Sequence, residues 1–245
     1  MSYGTIATSR QGSVMMIELA TDDGLNCYTP EMGEDLVEAL GAAGRDPEVS
    51  SIVLTGRGRT FCAGAHRDVL NGRLGPSGIR IGNEHFISGF ATEFAALPKL
   101  TIAAFNGSAA GIGVTMSLLC DLRLAAPHAR LRLNFAELGI LPGLGSTTLL
   151  PALVGRSTAR KLLLCDRVVD AAEALRIGLV DEVVAADALI PRCLVLGEAA
   201  SGCTNGSLGA IKLCLDAGQT SGIAEALRRE AEAATAMRAA RRLGP

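Results

Sequence analysis

The chain has 245 residues, 49% of them hydrophobic and 20% charged, with 29 Gly, no Trp and only 3% aromatics. That length buries a sizeable core, as one large α/β domain or as a domain with a small appendage. Lys and Arg number 23 against 25 Asp and Glu, a formal charge of −2, so no basic surplus points to nucleic acid or an anionic membrane. Aromatics are too scarce for base stacking, and the hydrophobicity lies in Ala, Leu, Val and Ile, the usual filling of helix-on-sheet cores.

In chain order, Thr5–Thr8 and Ser13–Leu19 flank Arg10-Gln11-Gly12 and predict a β-hairpin. Thr29-Pro30 opens a helix, with Pro at its first position and Met32, Leu36, Val37 and Leu40 as its apolar stripe. Ser51–Thr55 is a short buried strand ending at Gly56. After the turn-rich stretch Asn71–Gly82 the pattern predicts a helix over Glu84–Leu97, then a strand over Leu100–Phe105. Leu118–Ala126 and Arg130–Phe135 read as short strands and Ala171–Ile177 as a short helix. The pattern is thus a core of strand, turn and helix units over residues 1–186, followed by a helical region over 187–245 with breaks at Gly202–Gly206 and Gly218–Gly222.

Leu100–Cys120 is uncharged for 21 residues and imitates a membrane span, but Asn106-Gly107 and four hydroxyl residues inside it suit a strand, a turn and a helix better. The first 20 residues carry no basic and apolar leader pattern. Seven cysteines, an odd number without C-x-x-C spacing, read as small buried hydrophobes in a reducing compartment, and the protein is expected to be cytoplasmic. With histidines only at 66, 85 and 128, no multi-histidine metal centre is expected.

The common catalytic templates fail: the chain contains no G-x-x-x-x-G-K-S/T, G-x-G-x-x-G, G-x-S-x-G or H-E-x-x-H. What remains is two Gly-rich breaks, Thr60-Phe-Cys-Ala-Gly-Ala-His66 and Asn106-Gly-Ser-Ala-Ala-Gly-Ile-Gly113, each between a buried strand and a predicted helix. By spacing alone they are either tight turns with Gly at positive φ or a pair of helix starts whose N–H groups converge on one oxygen.

Residues 51–65, the Asn106–Gly113 break followed by Cys120-Asp-Leu-Arg123, Leu138-Gly-Ile-Leu-Pro-Gly-Leu-Gly-Ser146, Ala171–Val184 and Leu25-Asn-Cys27 resemble the enoyl-CoA hydratase/isomerase (crotonase) superfamily over essentially the whole chain. The resemblance implies an α/β fold, a ββα spiral with a helical C-terminal trimerisation region, and a crevice for an acyl- or enoyl-CoA thioester. It assigns the two backbone N–H donors to the thioester oxygen to Ala65 and Ile112, and places Cys27, Ala63, Gly64 and Gly111 on the bound thioester. Coenzyme A enters as part of the substrate, and no separate cofactor is implied. A homotrimer or dimer of trimers is implied, and Leu189, Ile190, Leu194 and Leu208, Ile211, Leu215 read as apolar stripes suited to it.

The departures from the family pattern concern acid–base residues. Where its hydratases carry their two glutamates this chain has Thr115 and Phe135, and where its isomerases often place an acid, after Pro142, it has Gly143. Glu137, two residues beyond Phe135, and His66, directly after Ala65, are the candidates to move protons; His66 equally reads as a helix-start residue on the rim. Asp68, Glu84 and His85 are rim candidates, Asp121 reads as structural, and the arginines of the tail, Arg228 to Arg242, read as a solvated helix face. Two functions follow: an enolate-stabilising isomerase or unusual lyase, or an acyl-CoA-binding homologue that has lost its proton-transfer groups.

Overall fold

In this computed structural model, strands β1 (Ile6–Gln11) and β2 (Val14–Leu19) form the expected hairpin, paired antiparallel from Ile6 opposite Leu19 to Gln11 opposite Val14. The structure describes residues 3–165, 167–203 and 206–218, together with 225, 227–229, 231–233 and 235–236. Helix α1 (Pro30–Arg45) starts where Thr29 Oγ1 accepts the Met32 N–H at 3.3 Å, and it buries Met32, Leu36, Ala39, Leu40 and Ala43.

The chain then winds through similar units. Strands β3 (Ser51–Gly56) and β4 (Thr60–Cys62) lead to helix α2 (Arg67–Leu70), followed by α3 (His85–Ser88) and α4 (Phe90–Ala95). Strands β5 (Leu100–Phe105) and β6 (Ser108–Ala110) lead to α5 (Ile112–Ser117). Next come β7 (Leu122–Ala125), β8 (Arg130–Arg132), α6 (Ser146–Val154) and α7 (Arg156–Leu164). Strand β9 (Val169–Asp170), α8 (Ala171–Arg176) and β10 (Glu182–Val183) precede α9 (Leu189–Ala199) and α10 (Ser207–Gly218). One six-stranded sheet has the order β1-β2-β3-β5-β7-β10 and one four-stranded sheet the order β4-β6-β8-β9. Each unit gives one strand to each sheet, and apart from the hairpin and the β8–β9 pair all pairings are parallel, which makes the expected ββα spiral.

The larger sheet is covered on both faces, so its strands read as continuous apolar runs. Ile17, Leu19, Ile52, Leu54, Ala103 and Phe105 join the main core with α1, while Val14, Met16, Val53, Ile102, Ala104 and Leu124 face Leu189 and Cys193 of α9. Asp121 accepts from the Thr101 N–H at 2.7 Å, the Thr101 hydroxyl at 2.8 Å and Lys212 Nζ at 2.8 Å, and so pins α10 to the start of β5. That is the structural role expected of Asp121.

Several boundaries differ from the sequence reading. The helix expected over Glu84–Leu97 is two helices parted at Gly89, the poorest helix former in the segment. Leu118–Cys120 closes the turn after α5, and β8 ends at Arg132. In the first apolar stripe Leu189 is buried and Ile190 and Leu194 pack partly buried on the chain's own sheet; the second, on α10, leaves Ile211 and Leu215 exposed. Cys62, Cys120 and Cys193 are buried as expected, but Cys165 and Cys203 are exposed. Among the described residues no helix is long and apolar enough to cross a membrane.

Replacing Gly by Ala inside a helix ordinarily adds about 1 kcal/mol of stability. At Gly33 the new Cβ would stand 2.4 Å from the Tyr28 hydroxyl and 3.0 Å from Glu84 Cγ, both buried and hydrogen-bonded to each other. Gly33→Ala is therefore expected to lower stability in urea unfolding by about 1–3 kcal/mol. Gly41→Ala, whose Cβ meets only the mobile tip of Arg45, should leave stability unchanged or raise it.

Candidate functional site

Parallel pairing decides where the breaks in the chain meet. Thr60 lies opposite Ser108 and Cys62 opposite Ala109, while Ala109 lies opposite Leu131 and Ala110 opposite Arg132. Parallel neighbours leave a sheet at the same edge, the usual place for a ligand crevice, so the segments after β4, β6 and β8 emerge side by side. There they enclose a cavity of about 400 Å³. Ala63, Gly64 and Ala65 come from the first break, Gly111, Ile112 and Thr115 from the second, and Asn134 and Phe135 from the segment after β8. Ile81, Gly82 and Ile87 line it from the turn-rich stretch, and the loop from Leu138 to Leu144 completes the wall.

The backbone around Ala65 is fixed by Tyr28. The Tyr28 N–H donates to the Gly64 carbonyl at 2.8 Å, and the Tyr28 carbonyl accepts the His66 N–H at 2.9 Å. In that pattern the N–H of the intervening residue, Ala65, points away from Tyr28. At the second break Gly111 has φ 51° and ψ −117°, closed to residues with a side chain, and its carbonyl accepts the N–H groups of Val114 and Thr115 at 3.0 and 3.1 Å. Among the described residues neither the Ala65 nor the Ile112 N–H donates to a protein acceptor, and both residues line the cavity.

Tyr28 is fully buried, and its hydroxyl donates to Glu84 Oε1 at 2.8 Å, while the Gly82 N–H donates to Glu84 Oε2 at 2.7 Å. Burial, and next the Glu84 charge, hold the Tyr28 hydroxyl well above the usual phenol range, so it stays a donor. Burial pushes the Cys62 thiol up to about 12, and burial with the Asp23 carboxylate does the same at Cys27, so neither serves as a thiolate nucleophile.

Of the residues singled out from sequence, Ala63, Gly64, Ala65, Gly111 and Ile112 line this one cavity, as do Thr115, Phe135 and Gly143. Cys27, His66 and Glu137 do not. Cys27 sits on Asp23. His66 caps α2 by accepting the Asp68 N–H on Nδ1 at 3.2 Å, and it borders a separate polar depression with Glu31, Asp68 and Arg73. Glu137 is exposed and paired with Arg132 at 2.5 Å. Asp68 pairs with Arg73 at 2.8 Å and His85 faces Glu93 at 3.2 Å, both on the surface. No carboxylate or imidazole is among the described residues lining the cavity, and among the described residues no group of three or more His, Cys, Asp or Glu could hold a metal ion.

Sequence reasoning passed over Arg67 and Asn134, both on the cavity wall, although Arg67 follows the first break and a charge beside an apolar crevice was a usable signal. It placed Glu84 on the rim, whereas that residue is buried and bound to the Tyr28 hydroxyl, a pairing that 56 residues of separation hide.

The family profile described as Enoyl-CoA hydratase/isomerase matches residues 9–239. Over 211 residues, 84% of this chain and 80% of its relative, the chain is 33% identical to the 1,2-epoxyphenylacetyl-CoA isomerase of Escherichia coli. Over 224 residues, 86% of each, it is 36% identical to a probable enoyl-CoA hydratase of Mycobacterium tuberculosis. An enoyl-CoA hydratase structure from Geobacillus kaustophilus superposes with a TM-score of 0.86 at 30% identity, over 97% of this chain and 91% of that one.

Gly111→Ala forces a Cβ into a backbone conformation that excludes it. It should lower stability in urea unfolding by about 1–3 kcal/mol and speed hydrogen exchange along α5.

Proposed function

The chain belongs to the enoyl-CoA hydratase/isomerase family, and from that premise and its cavity we propose that it binds an acyl- or enoyl-CoA with the thioester oxygen on the Ala65 and Ile112 N–H groups. The observation that carries this reading is that both N–H groups lack a protein acceptor among the described residues while both residues line one cavity. Two donors on a thioester oxygen stabilise the enolate that forms when an α-proton leaves, and losing one such donor typically costs about 2.7–4 kcal/mol of barrier. Because the donors are main-chain groups, the Ile112 side chain is free to pack while its N–H serves.

Hydration by a pair of glutamates is not this protein's chemistry. Thr115, Phe135 and Gly143 all line the cavity, in support of the correspondence drawn from sequence, and none of them exchanges a proton as a carboxylate does. Isomerisation or an unusual lyase reaction, its proton carried by water or by the substrate itself, fits better. The lack of any carboxylate or imidazole among the described lining residues also favours a second reading, an acyl-CoA-binding homologue without catalysis.

The α-protons of butyryl-CoA in D₂O separate the two. Exchange accelerated by about 10²-fold or more over the free thioester is expected of the enolate-stabilising enzyme. Tight binding with unaccelerated exchange would leave only the binding protein. Calorimetry should also show butyryl-CoA binding more tightly than free CoA, since only the thioester presents an oxygen to the two N–H groups; equal affinities would sink the placement at Ala65 and Ile112.

Crotonyl-CoA hydration should run below that of a two-glutamate enzyme by about 10⁴-fold or more, the product of two general acid–base contributions. Thr115→Glu combined with Phe135→Glu should raise it in a spectrophotometric assay. Brisk wild-type hydration would refute the assignment, and Glu137→Gln would then test the displaced glutamate.

A further inference from the structure

Arg67 is the one charged residue among the described residues that line the cavity. It opens α2, two positions after Ala65, and is solvent-exposed. No hydrogen bond or ion pair to that guanidinium forms among the described residues, because the acid beside it, Asp68, is bound to Arg73 at 2.8 Å. Nearby polar capacity is also uncommitted: the Asn134 side chain makes no hydrogen bond among the described residues, and the Thr115 hydroxyl has only the Ile112 carbonyl at 3.4 Å. The rest of the wall is apolar, with Leu70, Ile81 and Phe135 among its residues. A guanidinium on an apolar wall, with no acid to neutralise it, is a fork suited to a planar anion.

We propose that Arg67 selects an acyl group with a second, anionic terminus, so that the preferred substrate is a short dicarboxylic acid joined to CoA through one of its carboxyls. This rests on the thioester oxygen lying at Ala65. The two backbones are at most about 7 Å apart and the arginine side chain adds only its own length, so a carboxylate that meets Arg67 lies a few bonds from the thioester. The guanidinium and the free carboxylate would pair through parallel N–H···O bonds. The anion on Arg67 has one other source, the phosphates of CoA itself.

Calorimetry with butyryl-CoA, glutaryl-CoA and free CoA, on the wild type, Arg67→Met and Arg67→Lys, separates these cases. The wild type is expected to bind glutaryl-CoA about tenfold or more tightly than butyryl-CoA, the scale of one charge-assisted pair. In Arg67→Met the ratio should fall to about one, and in Arg67→Lys, which keeps the charge but loses the fork, it should lie between. A wild-type ratio near one, or a ratio unmoved by Arg67→Met, would overturn the proposal. So would an equal loss of affinity for all three ligands in Arg67→Met, which would assign Arg67 to the phosphates. If neither thioester bound more tightly than CoA, the thioester placement itself would be wrong, a result distinct from two thioesters that bind well and alike.

Discussion

The site depends on two backbone hydrogen bonds at Tyr28. By donating to Gly64 and accepting from His66, that residue fixes the strand-like course of 64–66 and leaves the Ala65 N–H turned the other way. The same residue's hydroxyl reaches Glu84, which holds the Gly82 N–H of the opposite wall. One buried tyrosine thus ties the segment carrying a proposed donor to the segment that closes over it. Glu84 is buried with a donor on each side-chain oxygen, the arrangement that makes such burial tolerable, and removing Tyr28's hydroxyl would strand one of those oxygens at a cost of about 1–3 kcal/mol.

Main-chain and side-chain chemistry part company in this cavity. The Ala65 and Ile112 N–H groups depend only on backbone geometry, which the parallel β4–β6 pair and Gly111 impose whatever side chains surround them. Proton transfer depends on side-chain identity at single positions. The proposed polarisation of a carbonyl is therefore compatible with Thr115, Phe135 and Gly143 standing on the same wall without a carboxylate. Family membership here supports thioester binding more strongly than it supports any particular reaction.

Legibility in the sequence followed the same division. The hairpin, α1, β3 and β5 were readable because local periodicity and Pro30 set them, and the lining by Ala65, Gly111 and Ile112 was readable through motif order. The placing of Glu137 and His66 was not. Two residues of displacement along a turning segment put Glu137 in solvent beside Arg132, and capping of a four-residue helix turned the His66 ring toward the Asp68 N–H. Both outcomes are set by side-chain direction at the end of an element, where spacing carries no information. Arg67 was hidden for the opposite reason, since a surface arginine is ordinary until the wall it stands on is known.

The electrostatic character of the cavity joins these observations. Its described wall offers two N–H groups, one guanidinium and the Asn134 amide, and it offers no carboxylate. These groups all favour negative charge on a bound ligand, as the proposed enolate oxygen and the proposed anionic terminus would carry. A glutamate pair would supply a base but would also repel both charges, through walls apolar enough to screen them poorly. A cavity without that pair can hold a thioester and a second anion together, a combination that a two-carboxylate site would disfavour.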